Sequence, residues 1–176
     1  MTDPSGQTFV YTVADARTGG HEHYVSPVPP ELASRHGLPP EAILGKLTDG
    51  PDSFDVRHFR PNPRFVPFLH WVLARHAAEC PGLRAAVEDR RDGQLGIVDR
   101  RTTATDGAVP PQDVIGTVEV RAGEMIRYRG NPDYRSFTRD GVMSLDPWFR
   151  SRLLEEIEAL GGAAGHDPTP GADDGP

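Results

Sequence analysis

The sequence predicts an α+β domain, with helices packed on one face of a mainly antiparallel sheet of about four strands. Three features of the chain support this fold class. A segment rich in β-branched and aromatic residues lies near the start, two strand-like segments are separated by a two-residue turn, and an amphipathic helical pattern follows them. In chain order the elements read strand, helices, strand, hairpin and helix, which favours antiparallel pairing.

The first predicted strand covers residues 8–14, TFVYTVA, and its alternation places Phe9, Tyr11 and Val13 on one face. Residues 19–63 are dense in proline and glycine, so we predict mostly loop there. Two short helices are expected within this loop, at 31–36 and 41–47.

A longer helix is predicted in the middle of the chain, where Asn62-Pro63 provides a favoured N-cap followed by a favoured first-turn residue. From this start we expect a helix over 64–79. A second short helix is predicted over 83–89, after a Pro-Gly break.

Three further strands are predicted in the second half of the chain, at 94–99, 114–121 and 124–129. Only Ala122 and Gly123 separate the last two, and a connection of this length is typical of a β-hairpin. Alanine is an unusual residue in such a turn, because the turn requires left-handed backbone conformations. The segment TTATDGAVPPQ, before the second of these strands, predicts an exposed loop.

The last predicted element is a C-terminal helix that begins at Asp146-Pro147, again a capping residue followed by proline. Apolar residues recur along it at helical spacing: Phe149, Leu153, Ile157 and Leu160. We expect the glycine pair that follows to end the helix. The predicted organisation is therefore a single domain at 1–161 and a disordered acidic tail at 162–176, which has no large apolar side chain to bury.

The composition excludes several classes of function. A net charge of −7 and a pI near 5.4 argue against nucleic-acid binding, because phosphate contacts require a basic surface. The sequence has no apolar run of the roughly 18 residues that span a bilayer, and no basic-then-apolar leader pattern. Its single cysteine cannot form an internal disulfide. We therefore expect a cytoplasmic protein that contacts neither nucleic acid nor membrane.

The segment 68–80, FLHWVLARHAAEC, places two histidines and the only cysteine on one predicted helix. A rotation of about 100° per residue puts His76 and Cys80 within the apolar stripe, and His70 about a third of the circumference away. A tetrahedral metal site needs three or four converging ligands, and this helix offers at most two. We interpret His76 as a core histidine with a backbone partner, Cys80 as an inert buried thiol, and His70 as a residue at the edge of the core.

Two segments share the pattern R-x-N-P-x-aromatic, namely RPNPRF at 60–65 and RGNPDY at 129–134. An arginine beside an Asn-Pro turn and an aromatic ring can bind a carboxylate or phosphate, because guanidinium pairs bidentately with both. Alternatively, each segment is a capped helix start whose aromatic residue enters the core. We favour this structural interpretation, and we find no repeat at solenoid periods.

Residues 127–139, RYRGNPDYRSFTR, are the densest mixture of arginine and aromatic residues in the chain. Arginine and tyrosine are favoured at interface hot spots, and this segment follows the predicted hairpin. We predict a partner-binding surface formed by Arg127, Arg129, Asn131, Tyr134, Arg135 and Arg139. Two alternatives stay open: the arginines could only protect an edge strand from sheet pairing, and Tyr134 could be a core residue.

Recognisable catalytic motifs are absent from the sequence. It contains no G-x-S-x-G and no Gly-rich phosphate loop, and Cys80 is expected at a helix C-terminus, where the dipole disfavours the thiolate. We therefore expect a non-enzymatic accessory or protein-interaction domain with a protein partner, no metal, no cofactor and no assignable catalytic residue. The alternative is a small enzyme or ligand-binding protein, metal-assisted or not, whose small-molecule pocket contains His21, His23, His58 and Arg60.

Two mixed-charge runs, at 88–92 and 99–101, lie at the ends of predicted elements. Such runs are usually solvated faces with weak ion pairs. We expect both runs to be exposed and to carry no site.

Overall fold

The computed structural model describes residues 6–52, 54–101 and 109–164, and it has the predicted α+β class. Within these ranges the strands are β1 Phe9–Ala14, β2 His21–Ser26, β3 Gly45–Leu47, β4 Phe59–Pro61, β5 Gly93–Val98, β6 Val114–Arg121, β7 Glu124–Gly130, β8 Phe137–Thr138 and β9 Gly141–Val142. The α-helices are α1 Pro30–His36, α2 Phe65–His76, α3 Pro81–Arg90 and α4 Pro147–Ala164.

The strands form antiparallel sheets. The first has the order β1-β2-β3-β4, the second has the order β5-β6-β7, and β8 pairs only with β9. The strands predicted at 8–14, 94–99, 114–121 and 124–129 are all confirmed to within one or two residues. In β1, however, Val13 is 47% exposed, whereas the other two residues of its predicted apolar face are half-buried.

The prediction of mostly loop at 19–63 is wrong, because β2, β3 and β4 lie there. The helix predicted at 41–47 is also wrong: a 3-10 turn, Pro40–Ala42, leads instead into β3. Strands of three residues are too short to show an alternating pattern. Proline is compatible with β4 because this strand lies at the edge of its sheet. The helix expected at 31–36 is confirmed as α1.

The hairpin between β6 and β7 is confirmed. Its turn residues Ala122 and Gly123 have φ of 53° and 77°, the left-handed values that a two-residue turn of this kind requires. Alanine therefore occupies a conformation that glycine adopts at lower cost.

The predicted helices α2, α3 and α4 are confirmed, but their ends differ: α2 stops at His76 before a 3-10 turn, Ala77–Glu79, α3 covers Pro81–Arg90, and α4 continues further than predicted. Phe149, Leu153 and Ile157 are buried as expected, while Leu160 is 38% exposed. The helix continues through Gly161 to Ala164, so the predicted start of the tail at 162 is wrong. The predicted disorder of residues 165–176 lies outside the described residues.

Gly161 has a packing role rather than a terminating one. A Cβ atom at this position would lie 2.8 Å from the Cβ of His36, so glycine allows α4 to approach α1 closely. The physical reason for the longer helix is therefore a tertiary contact that overrides the weak helix propensity of glycine. Buried apolar side chains from both larger sheets and from α2, α3 and α4 form one continuous core cluster.

A duplicated unit is the least expected feature of the fold. Strands β2-β3-β4 form the first copy and strands β5-β6-β7 form the second. Each copy contains P-P-x-x-aliphatic-aliphatic-Gly, as PPEAILG at 39–45 and PPQDVIG at 110–116, and each ends in the R-x-N-P-x-aromatic segment. The strand registers agree as well, because the glycine of each copy pairs with the residue before the asparagine.

The asparagine makes the same hydrogen bonds in both copies. Its side-chain amide donates to two backbone carbonyls of the preceding Pro-Pro segment, and its side-chain oxygen accepts from the N–H two residues later. For Asn62 the partners are Pro40 at 2.6 Å, Ile43 at 2.7 Å and Arg64 at 3.1 Å. For Asn131 they are Pro111 at 2.8 Å, Val114 at 2.7 Å and Asp133 at 3.0 Å. A helix follows only the first copy, and it begins at Phe65 with Arg64 as its N-cap residue, so the expected cap at Asn62 is wrong. The aromatic residue enters the core in both copies, as Phe65 and Tyr134, but no helix starts at 129–134.

The glycine of each copy leaves room for an aromatic ring. A Cβ atom at Gly45 would lie 2.5 Å from the ring of Phe59 and 2.3 Å from the carbonyl oxygen of Arg60. A Cβ atom at Gly116 would lie 2.4 Å from the hydroxyl oxygen of Tyr128. The two aromatic rings therefore lie across equivalent glycines in the two sheets.

Each of these rings also contacts the segment that follows the other copy. The rings of Phe59 and Phe137 meet edge to face, with centroids 4.9 Å apart, and Phe137 follows the second copy. The hydroxyl of Tyr128 lies 2.9 Å from Nδ1 of His70, which belongs to α2 and follows the first copy. Each copy thus packs against an element that follows the other copy in the chain.

Candidate functional site

The predicted partner-binding residues divide between an exposed sheet face, a cavity and the core. Arg127 and Arg129 lie on the exposed face of β7. Arg127 donates to Glu119 at 2.7 Å, and Arg121 donates to the same side chain at 3.3 Å. The hydrogen bond from Arg127 is the main reason that the pKa of Glu119 lies below its ordinary value. Arg129 forms no hydrogen bond or salt bridge through its side chain within the described chain.

Tyr134 and Asn131 have structural roles. Tyr134 is 4% exposed, and its hydroxyl donates to Oδ2 of Asp99 at 2.8 Å. Burial, reinforced by this carboxylate, raises the pKa of Tyr134 far above its ordinary value. The amide of Asn131 is already occupied by the backbone of its turn. The structure thus places Tyr134 in the core, and neither side chain is free to anchor a partner.

A buried charge cluster underlies this region. Asp99 and Asp113 are fully buried, and the side chain of Arg101 is 3% exposed. Arg101 donates to Oδ1 of Asp113 from Nη2 at 2.6 Å and from Nε at 3.0 Å. Burial raises the pKa of Asp99 against the opposing charge of Arg101. The predicted exposure is therefore wrong for Asp99 and Arg101, whereas the run at 88–92 is exposed as expected.

Arg101 also ties together three backbone segments. Its guanidinium donates to the carbonyls of Arg135 at 2.6 Å and Gly141 at 3.3 Å, and it lies 3.5 Å from the carbonyl of Gln112. Asp99 extends the network by accepting from the N–H of Ser144 at 2.8 Å. Burial of a charged group is favourable only when its hydrogen bonds are satisfied, and this guanidinium meets that condition.

An open cavity of about 670 Å³ lies beside the cluster. Its lining includes Arg135, Arg139, Asp133, Asp140, Phe137 and Val56. Arg135 and Arg139 are two of the predicted partner-binding residues, and both are exposed. Neither guanidinium has a hydrogen-bonding or ion-pairing partner among the residues that the structure describes. The cavity therefore combines two free cations with an apolar surface.

The histidines of the alternative pocket lie apart from this cavity. His21 and His23 are neighbours on one face of β2, and Nδ1 of His23 lies 2.9 Å from Oγ1 of Thr12. His58 ends a 3-10 turn, and its Nε2 lies 4.0 Å from Asp49. In the described ranges, no three His, Cys, Asp or Glu side chains are grouped so that they could hold a metal ion.

His70 and His76 lie on α2, which ends at His76, so the prediction that Cys80 belongs to the same helix is wrong. The Nε2 atom of His76 lies 2.7 Å from Oε1 of Glu156, and Arg75 reaches the same oxygen at 3.1 Å. The expected backbone partner of His76 is therefore wrong, because the partner is a carboxylate that links α2 to α4. Cys80 is buried as expected, at 5% exposure; it follows the 3-10 turn Ala77–Glu79 as its C-cap residue and is also the N-cap residue of α3.

His70 occupies a half-buried position between α2 and β7. Its Nδ1 atom faces the hydroxyl of Tyr128, and its buried Nε2 atom has no hydrogen-bond partner in the described part of the chain. Gly130 makes room for the imidazole, because a Cβ atom there would lie 2.7 Å from the ring. Burial lowers the pKa of His70 below its ordinary value.

The fold and its surfaces define an α+β domain with an arginine-lined cavity over a buried ion cluster. Among the described helices, none has both the length and the apolar character needed to cross a membrane. Comparisons with protein-family models, curated proteins and solved structures found no match. The geometry of the cavity is therefore the basis for a functional assignment.

Proposed function

We propose that this chain is a non-enzymatic accessory domain of the cytoplasm that binds an acidic segment of a partner protein in the cavity lined by Arg135 and Arg139. The observation that carries the proposal is the pair of exposed guanidinium groups without ion-pair partners on the cavity wall. Guanidinium is a frequent interface anchor, because it binds carboxylates bidentately and also packs on apolar groups.

The backbone around the cavity supports this function, because buried hydrogen bonds fix two of its segments. Gln112 and Arg135 line the cavity, and the carbonyl groups of both lie against the buried guanidinium of Arg101. A site on a preorganised backbone loses less conformational entropy on binding.

The chemistry of the lining indicates the kind of segment that fits. Phe137 and Val56 offer an apolar surface, so a matching segment has an apolar side chain flanked by carboxylates. Asp133 and Asp140 also line the cavity and oppose an acidic ligand. Their side chains are short, whereas those of the arginines are long enough to extend over the cavity. We expect the two aspartates to weaken the binding of an acidic ligand without preventing it.

Nothing in the described structure favours the alternative of an enzyme or ligand pocket built on His21, His23 and His58. None of these histidines lines the cavity.

Binding of labelled peptides would test the proposal. Three fluorescein-labelled peptides share a central phenylalanine and differ only in flanking residues, which are glutamate, glutamine or lysine. In fluorescence anisotropy, we expect saturable binding of the glutamate peptide alone, weakened by added salt. Arg135→Ala and Arg139→Ala should each reduce its affinity at least about tenfold, because a charge-assisted hydrogen bond contributes about 1.5–3 kcal/mol.

Two control variants distinguish the cavity from general charge effects. Arg84→Ala removes an exposed arginine of α3 that does not line the cavity, and it should bind the glutamate peptide like the wild type. The Asp133→Asn/Asp140→Asn double variant should bind it more tightly, because it removes two opposing charges. Equal binding by all three arginine variants, or a preference for the lysine peptide, would contradict the proposed function.

A further inference from the structure

In the duplicated unit, the residues shared by both copies have a structural explanation, with one exception. The asparagine and proline form the turn, the glycine accommodates a ring, and the final aromatic residue is buried as Phe65 or Tyr134. The exception is the arginine two residues before the asparagine. It is Arg60 in the first copy and Arg129 in the second.

Both arginines are exposed on the outermost strand of a sheet, and they occupy equivalent registers. Arg60 lies opposite Lys46, and Arg129 lies opposite Thr117. Neither guanidinium forms a hydrogen bond or salt bridge in the part of the chain that the structure describes. A residue that is present twice without an internal hydrogen bond or salt bridge is a candidate for an external one.

In the first copy, the arginine stands at a cleft of about 280 Å³. Tyr24, Pro40, Ile43 and Pro61 supply aromatic and apolar lining beside Arg60 and Lys46. No histidine of the sequence-based alternative lines this cleft. It therefore has the composition of a small ligand site: mostly apolar, with a few polar groups.

The charge of Lys46 is already neutralised inside the cleft. Its Nζ atom lies 2.8 Å from Oε1 of Glu22, and the hydroxyl of Tyr24 donates to the other oxygen of that carboxylate. The bonds from Lys46 and then Tyr24 lower the pKa of Glu22 below its ordinary value, so the carboxylate stays ionised. Arg60 is left as the free cation of the cleft.

The second copy lacks this arrangement. Register pairing places Gly96 and Thr117 where the first copy has Tyr24 and Lys46. The tyrosine and the lysine that face Arg60 across the sheet therefore have no counterpart beside Arg129, whose neighbours are instead Arg121, Arg127 and the carboxylate of Glu119. This difference makes Arg129 a matched control for Arg60 within one molecule.

We infer that the Arg60 cleft binds a small organic anion, in which a carboxylate or phosphate pairs with the guanidinium and a flat apolar body packs against Tyr24 and the prolines. The cleft is separate from the cavity of Arg135 and Arg139, and it does not depend on that function. The shared chemistry is an oxyanion on an apolar body, and two probes separate its sources. Benzoate carries the carboxylate and phenyl phosphate carries the phosphate.

Titration of the isotope-labelled protein, followed by amide chemical shifts, tests this inference. We expect saturable shifts at Tyr24, Gly45 and Lys46 with at least one anion, and none with uncharged benzyl alcohol. Arg60→Ala should weaken binding at least tenfold, Arg60→Lys should weaken it less, and Arg129→Ala should leave it unchanged. Because Arg60 is exposed, the dispersed spectrum of each variant verifies its fold.

Two results would overturn the inference. The first is the absence of saturable shifts with both anions. The second is undiminished binding by Arg60→Ala, and self-association of that variant would then show that the arginine only protects the edge of the sheet.

Discussion

Arg101 is the residue on which the region around the cavity most depends, and its removal gives the first prediction. Arg101→Ala removes the guanidinium that pairs with buried Asp113 and releases the carbonyls of Arg135 and Gly141. Breaking a buried pair from one side costs about 3–5 kcal/mol. We therefore expect urea denaturation to show a loss of at least about 3 kcal/mol in the free energy of unfolding.

The neighbouring arginine provides the control. Arg100 is exposed, and its Nη1 atom lies 3.4 Å from Asp146. Arg100→Ala should change the free energy of unfolding by no more than about 0.5 kcal/mol, because exposed ion pairs contribute little. Equal stability of the two variants would show that the buried cluster is not important for the fold.

The burial of His70 predicts that the free energy of unfolding depends on pH. Burial lowers its pKa in the folded state below the ordinary value of 6.5, so the unfolded chain binds the proton more readily. The contribution of neutral His70 is therefore present above about pH 6.5 and is lost as the pH falls. Urea midpoints should decrease between about pH 7.5 and pH 5.5, and His70→Asn should decrease less steeply. If the urea midpoint of His70→Asn fell with pH as steeply as that of the wild type, the prediction would be wrong. His21→Asn, which changes an exposed histidine, is the reference variant.

For single residues, exposure to solvent was predictable from the sequence in some cases, whereas internal partners were not. The exposed arginines at 127, 129, 135 and 139 follow from composition and position in the chain. The burial of Asp99 and Arg101 does not, because their partners lie at 113, 134, 135 and 144, on other elements. The sequence of a mixed-charge run does not show whether its charges are solvated or form ion pairs and hydrogen bonds inside the protein.

At the scale of elements, the packing of the Tyr128 ring across Gly116 of β6 predicts that a larger residue at this position destabilises the fold. Gly116→Ala would place a Cβ atom 2.4 Å from the hydroxyl oxygen of Tyr128, so the strand or the ring must move. Forcing an atom into a packed core costs about 1–3 kcal/mol. Gly82→Ala is the matched control: its Cβ atom would meet open space in α3, and it should stabilise by up to about 0.5 kcal/mol. Chemical denaturation of both variants measures these changes in the free energy of unfolding. An unchanged stability of Gly116→Ala would contradict the close packing of Tyr128 on Gly116.

Elements with clear periodicity were predictable, and short ones were not. The helix α4 repeats its apolar positions over several turns, so its start and its buried face follow from the sequence. Strands β3 and β4 have three residues each, and only their pairing with β2 defines them. The end of α4 was missed because Gly161 serves a contact with α1 that no local pattern contains.

For the whole molecule, the C-terminal residues give a prediction about stability. Residues 165–176 contain no large apolar side chain, so their removal should change the melting temperature by less than about 2 °C. A chain shortened from Gly161 onward should melt at a lower temperature, because the close packing of Gly161 on His36 is lost, although the ion pair of His36 with Glu158 remains. Thermal unfolding of both chains checks this. A large loss on removing only 165–176 would mean that this segment packs on the domain.

The α+β class was predictable for the whole molecule, because it depends only on the order of strand-like and helical segments. The duplicated unit was only partly predictable from the sequence. The R-x-N-P-x-aromatic segments showed it, but the paired P-P-x-x-aliphatic-aliphatic-Gly segments, about 70 residues apart, were needed to recognise a repeated three-strand unit. The cavity of Arg135 and Arg139 was not predictable, since it depends on how loops from different elements meet.

The exchange of packing elements between the copies means that neither half of the chain is self-sufficient. A fragment ending before Gly93 keeps Phe59 but lacks Phe137, and the complementary fragment keeps Tyr128 but lacks His70 and the helix that carries it. Each fragment alone should therefore remain unstructured in circular dichroism, and an equimolar mixture should recover the native spectrum. The intact chain should then lose all its structure in one all-or-none step. An independently folded half would show that the two copies are autonomous modules joined in tandem.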